Sequence, residues 1–149
     1  MPRPNLKAAS IAGFVAGLAY AGTAEIDNRI TGMNVDDLKL LGRPFVSGPK
    51  YAKLAGIPVH LANSVSLAWL YPRVRHFLPG NAVTSGILFA TVENTVLYPI
   101  AALENLHPGI RNGEIDRYFT LKAYLQSVPR HIAYGATLGL LYDRLARRA

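Results

Sequence analysis

The sequence of 149 residues has no cysteine, which removes disulfides, thiolate nucleophiles and cysteine metal sites and leaves the redox compartment open. It also lacks a nucleophile elbow, a phosphate loop, a dinucleotide fingerprint and a His-Glu-x-x-His motif, so the common signatures of enzymes are missing. Acids are scarce: nine Asp and Glu stand against 16 Lys and Arg, a net charge of +7. No groove-reading or base-stacking motif accompanies that charge, and many basic residues flank apolar runs, so nucleic acid is not the expected partner. The scarcity that matters most is local. Charge is nearly absent from a few long stretches, while two polar connections dilute the mean hydropathy to +0.17.

The most telling of these stretches runs from Phe77 to Leu103 and carries a single charge, Glu93. As a helix it is long enough to cross a hydrocarbon core of about 30 Å. Three further runs accompany it. The expected fold is all-α: one domain, a bundle of four transmembrane helices over residues 8–27, 54–71, 81–103 and 128–145. The first run also fits a secretory signal, with a basic head and Gly22-Thr23-Ala24 as a cleavage site, but the apolar runs that follow favour a spanning helix. The last run lies between Arg130 and Arg144, which are expected to snorkel to opposite interfaces, with Ser127 as its N-cap. Trp69 and Tyr71 sit where interfacial aromatics would, and Pro99 is expected to kink the helix about a turn beyond Glu93.

The connections predict two short interfacial amphipathic helices. One starts at Asn34 and presents Val35, Leu38 and Leu41; the other runs from Glu114 to Gln126 and presents Ile115, Tyr118, Phe119, Leu121 and Leu125. Arg3, Lys7, Arg73, Arg75, Arg144, Arg147 and Arg148 cluster close to the spans on one side. That density places both termini in the cytoplasm.

Glycines recur at a spacing that lets helices approach closely: Gly13 and Gly17 in the first run, Gly135 and Gly139 in the last. An acid inside an apolar helix is a functional-site candidate. Gly86, Ala90 and Glu93 share one helical stripe, which turns the acid toward its neighbours rather than toward lipid. Asn63 and Asn94 are candidate companions in a buried polar or proton site. A second candidate joins His60, His131, Glu25 and Asp27 near the outer mouth, where two imidazoles and two carboxylates are acceptable ligands for a metal.

Gly56 with His60, Tyr71-Pro72, His107-Pro108, and His131 followed by Tyr134-Gly135, Gly139 and Tyr142 resemble an uncharacterised family of small bacterial four-helix integral membrane proteins. The resemblance implies an inner-membrane location and brings no activity with it. The leading expectation is a non-enzymatic structural or accessory subunit, forming a homo-oligomer or joining a larger membrane complex through its glycine stripes. The alternatives are a small proton- or ion-coupled transporter or channel using Glu93, and a metal or haem site using His60 and His131. No cofactor is predicted on the leading reading, and the lipid bilayer is the expected surrounding.

Overall fold

The computed structural model describes residues 4–147, so Arg3 and Arg148 of the two basic ends lie outside the described residues. Among the described residues the chain is all-α, without strands. The helices are α1 (Leu6–Thr31), α2 (Asp37–Gly42), α3 (Pro49–Ala68), α4 (Tyr71–Val74), α5 (Ala82–Leu97), α6 (Pro108–Arg111) and α7 (Leu121–Ala146). Side-chain caps set several of the boundaries. Asn5 accepts from the Ala8 amide at 2.9 Å to open α1, and Gly32 closes it in the left-handed conformation, at φ 67°. Past Leu97, α5 tightens into a 3₁₀ helix over Tyr98–Leu106; Pro99, which has no N–H to give, lies in its first turn.

Three expected boundaries are corrected by hydrogen bonding. The N-cap of α2 is Asp36, which accepts from the Lys39 amide at 3.0 Å, and not Asn34. Helix α7 begins at Thr120, whose hydroxyl accepts from the Ala123 amide, so Ser127 lies inside the helix rather than at its start. The second interfacial helix does not form. Glu104 accepts from the amides of Tyr118 and Phe119 at 2.6 and 2.8 Å, drawing those donors away from a helical ladder. Leu121–Gln126 instead becomes the opening of α7.

The four long helices pack in a row, α3 on α1, α1 on α7 and α7 on α5. This is an open arrangement, not a closed four-helix bundle. Small residues make the contacts. A Cβ on Gly17 would come within 2.7 Å of Ser64 Oγ of α3, and one on Gly135 would come within 2.7 Å of the Gly86 carbonyl carbon of α5. Gly13 and Gly139 are equally tight against Ala68 and Ala82. The glycine stripes of α1 and α7 are thus covered by α3 and α5 of the same chain. They are not surfaces free to assemble a second copy.

Two segments, α1 and Ala82–Leu106, are long and apolar enough to cross a membrane, in place of the four expected. Helix α3 carries Lys50, Lys53, His60 and Asn63, and α7 carries Lys122, Arg130, Asp143 and Arg144, which lowers their hydropathy. Yet the distribution of residues is partly inverted. The interior holds alanines, tyrosines, Val35, Ile115 and Leu138 beside His60, Ser64, Ser85, Gln126 and Arg130. Large apolar side chains point outward on all four helices: Phe14 and Leu18 on α1, Leu54 and Ile57 on α3, Val92 and Val96 on α5, Leu125 and Ile132 on α7. Only 11% of the apolar window in Ala82–Leu106 is buried, whereas the core helix of a water-soluble domain would be mostly covered. Tyr71 follows the same inversion. Expected at the interface, it is fully buried, and its hydroxyl meets Ser85 Oγ at 2.9 Å.

The close α5–α7 contact predicts a contrast between two glycines that share a helical environment. Gly135→Ala should destabilise the protein by about 1–3 kcal/mol through overpacking, outweighing the gain in helix propensity. Gly22→Ala, with open space around it, should be neutral or stabilising. Thermal unfolding followed by circular dichroism distinguishes them, and equal melting temperatures would contradict the packing.

Candidate functional site: a polar cavity beside a buried arginine

The side chain of Arg130 is 0% exposed, at the junction of α1, α7 and the connection leading to α2. All five of its N–H groups are engaged. Nε donates to Asp27 Oδ2 at 2.5 Å; one terminal nitrogen donates to Asp27 Oδ1 and Asn28 Oδ1, at 2.6 and 3.0 Å. The other donates to Asp37 Oδ2 at 2.5 Å and to the Val35 carbonyl at 2.9 Å. Gln126, one turn earlier on α7, donates to Asp27 and Asn28 as well. The sequence-based expectation of a snorkelling Arg130 is therefore overturned. Two aspartates at hydrogen-bond distance hold the guanidinium inside, where desolvation is offset by a complete set of charge-assisted bonds.

A second cluster fastens the two connections to each other. Arg43 donates to both carboxylate oxygens of Glu114, at 2.6 and 3.1 Å, and Asn34 Nδ2 donates to the Glu114 carbonyl. His107 Nε2 meets the Leu40 carbonyl at 2.8 Å. The Arg43 guanidinium holds the Glu114 carboxyl below its ordinary range, so this clamp is intact at neutral pH and weakens as acidification protonates Glu114. Burial pushes the Tyr118 hydroxyl well above its ordinary value, keeping it neutral. Together the connections form a cap over one end of the helices.

Beneath the cap lies a cavity of about 530 Å³, bounded by the four long helices on the side where α3 and α5 stand apart. Its walls are largely apolar, and a few polar groups converge on it, the usual composition of a small-molecule site. Glu93 of α5 faces His131 of α7, with Oε2 to Nε2 at 3.4 Å. The Oε2 atom is buried and accepts no hydrogen bond. His131 Nδ1 lies 2.8 Å from the Ser127 carbonyl, an oxygen that can only accept, so Nδ1 carries hydrogen and Nε2 is the nitrogen turned to the acid.

The candidate polar residues are only partly brought together. Asn63 and Asn94 both line the cavity with Glu93, but Asn94 is bonded to Ser127 at 2.9 Å. His60 and His131 also line it, on either side of the Tyr20 ring, whose centroid is 5.1 Å from each imidazole. His60 Nε2 is directed to the Gly17 carbonyl at 3.0 Å. The acids once grouped with these histidines face elsewhere: Asp27 pairs with Arg130, and Glu25 pairs with Lys53 at 2.5 Å and Arg29 at 2.9 Å. Among the described residues no group of three or more His, Asp or Glu is placed to hold a metal ion.

Sequence reasoning missed Arg130, Asp37 and Tyr20. The available signal was the cost of an arginine only one position before an uncharged run, which could equally have demanded a partner as an interface. Tyr20 donates to Asp37 at 3.1 Å and so links the arginine cluster to the histidines.

These features define an all-helical protein with large apolar side chains exposed on each long helix, a buried ionic junction and a half-open cavity. The chain belongs to DUF6789, a family of unknown function, whose pattern matches residues 4–149. No curated protein and no solved structure matches it significantly.

Removing the arginine leaves two carboxylates facing each other without a cation. Arg130→Met should destabilise the fold by about 3–5 kcal/mol, and adding Asp27→Asn and Asp37→Asn should recover part of the loss. Chemical denaturation measures both, and an Arg130→Met protein as stable as the parent would show that the junction is dispensable.

Proposed function

We propose that the chain is a multi-pass membrane protein whose cavity binds a small ligand in exchange for the proton held by Glu93 and His131. All four long helices lie in the bilayer on this reading. Of the polar residues that lower the hydropathy of α3 and α7, His60, Ser64 and Arg130 are buried, Lys50, Lys122 and Arg144 are exposed near the helix ends, and Leu54, Ile57, Leu125 and Ile132 face out. Hydrocarbon is the solvent that suits such an exterior. The pairing of Trp69 with Ser10 and of Tyr71 with Tyr142 gathers the ends of α1 and α7 at the pole opposite the cap. This supports both termini on one side, the cytoplasmic side by the basic residues near them.

The observation that carries the proposal is the approach of Glu93 Oε2 to His131 Nε2, 3.4 Å apart, in the wall of a cavity of ligand size. It favours a proton-coupled carrier or binding protein over an assembly subunit. The glycine stripes that would have joined such a subunit to its partners are occupied within the chain.

A hydrophobic carbodiimide tests the reading, because it attacks protonated carboxyls that can be reached from lipid. Dicyclohexylcarbodiimide added to the protein in nanodiscs should form one adduct that peptide mass spectrometry maps to Glu93. The adduct should disappear in Glu93→Gln and form faster as the pH is lowered. Failure to modify Glu93 at any pH would contradict a proton-holding acid in an accessible cavity.

A further inference from the structure

The charge and aromatic content of the cavity bear on what it holds. The chain as a whole is strongly basic, at +7, yet the cavity wall carries Asp37, Glu93 and Glu104 against one arginine, Arg130, and the imidazoles of His60, His107 and His131. Arg130 has no free donor left for an anion, since its five N–H groups are spent on Asp27, Asn28, Asp37 and Val35. Asp37 is committed to that arginine, and Glu104 to Arg117 and two backbone amides. Glu93 faces the imidazole of His131 at 3.4 Å and, among the described residues, forms no ion pair with a lysine or arginine.

Aromatic rings line the same cavity. Tyr98 and Tyr124 pack edge to face, with centroids 4.8 Å apart, and Tyr20 and Tyr134 line it from α1 and α7. A carboxylate in a cavity that tyrosines share, with apolar wall beyond, is the chemistry that receives an ammonium group. The acid supplies the counter-charge, and the rings supply the attraction of their negative faces.

We infer that the cavity is a binding site for a small organic cation, a protonated amine or quaternary ammonium on an apolar body, with Glu93 as its counter-ion. This rests on the proposed accessibility of Glu93 and deepens it by naming the ligand class. The volume of about 530 Å³ suits a molecule of drug size and far exceeds a metal ion.

Three probes of similar size and different charge test it: benzyltrimethylammonium, benzyl alcohol and benzenesulfonate, titrated calorimetrically into the protein in nanodiscs, with empty nanodiscs as the blank. The cation should bind about tenfold or more tighter than the neutral and anionic probes. Glu93→Gln should weaken the cation by at least about tenfold and leave benzyl alcohol unchanged. Tyr98→Leu, which keeps the carboxyl, should weaken the cation several-fold and serves if Glu93→Gln does not fold. Equal binding of the three probes, tighter binding of benzenesulfonate, no binding of any probe, or cation affinity indifferent to both substitutions would overturn the inference. Labelling of Glu93 by the carbodiimide would in each case still report separately on the cavity and its proton.

Discussion

Arg130 determines where everything else sits. Its guanidinium ties the end of α1, through Asp27 and Asn28, to the connection before α2, through Val35 and Asp37. Both are thereby fixed on α7, the helix that packs against α1 on one side and α5 on the other. A buried cation is costly in any solvent of low polarity, and more so where no water can reach it, so the geometry that satisfies it tolerates little variation. Close glycine contacts then set the distance of α3 from α1 and of α5 from α7. The gap left between α3 and α5 is the cavity.

The same junction places polar chemistry at the centre of the helices. Alanines and tyrosines fill much of the interior beside Leu138 and Val35, while many leucines, isoleucines and phenylalanines are exposed. Packing among small residues brings backbones close and leaves room for hydroxyls, imidazoles and carboxyls between them. Tyr20 shows the consequence. It bonds to Asp37 of the ionic junction and lies between His60 and His131, so the junction, the histidines and Glu93 form one continuous polar seam.

Much of this was legible in the sequence, and the division follows range. Features set within one helix could be read, the all-α class above all. Features set by partners far along the chain could not. Asp27 meets Arg130 across 103 positions and Asn34 meets Asp116 across 82, separations on which periodicity is silent. The second interfacial helix was misread for a related reason. Its apolar spacing is genuine, but Glu104 captures the amides of Tyr118 and Phe119, and a distant carboxylate prevails over local pattern. The proposed metal cluster dissolves likewise, because Glu25 and Asp27 each find a closer cation in Lys53 and Arg130.

The central claim is that a polar, ionically locked interior is enclosed by a surface suited to lipid. Because the chain has no cysteine, single cysteines can be placed without background, and spin labels at Leu18, Ile57, Val96 and Ile132 sample the outward face of each long helix. In nanodiscs, all four should show high accessibility to oxygen and low accessibility to a water-soluble nickel chelate, the reverse of a label at Asn112 in the cap. Nickel accessibility at those four positions equal to that at Asn112 would mean that water, and not hydrocarbon, surrounds the helices, and the account would fail.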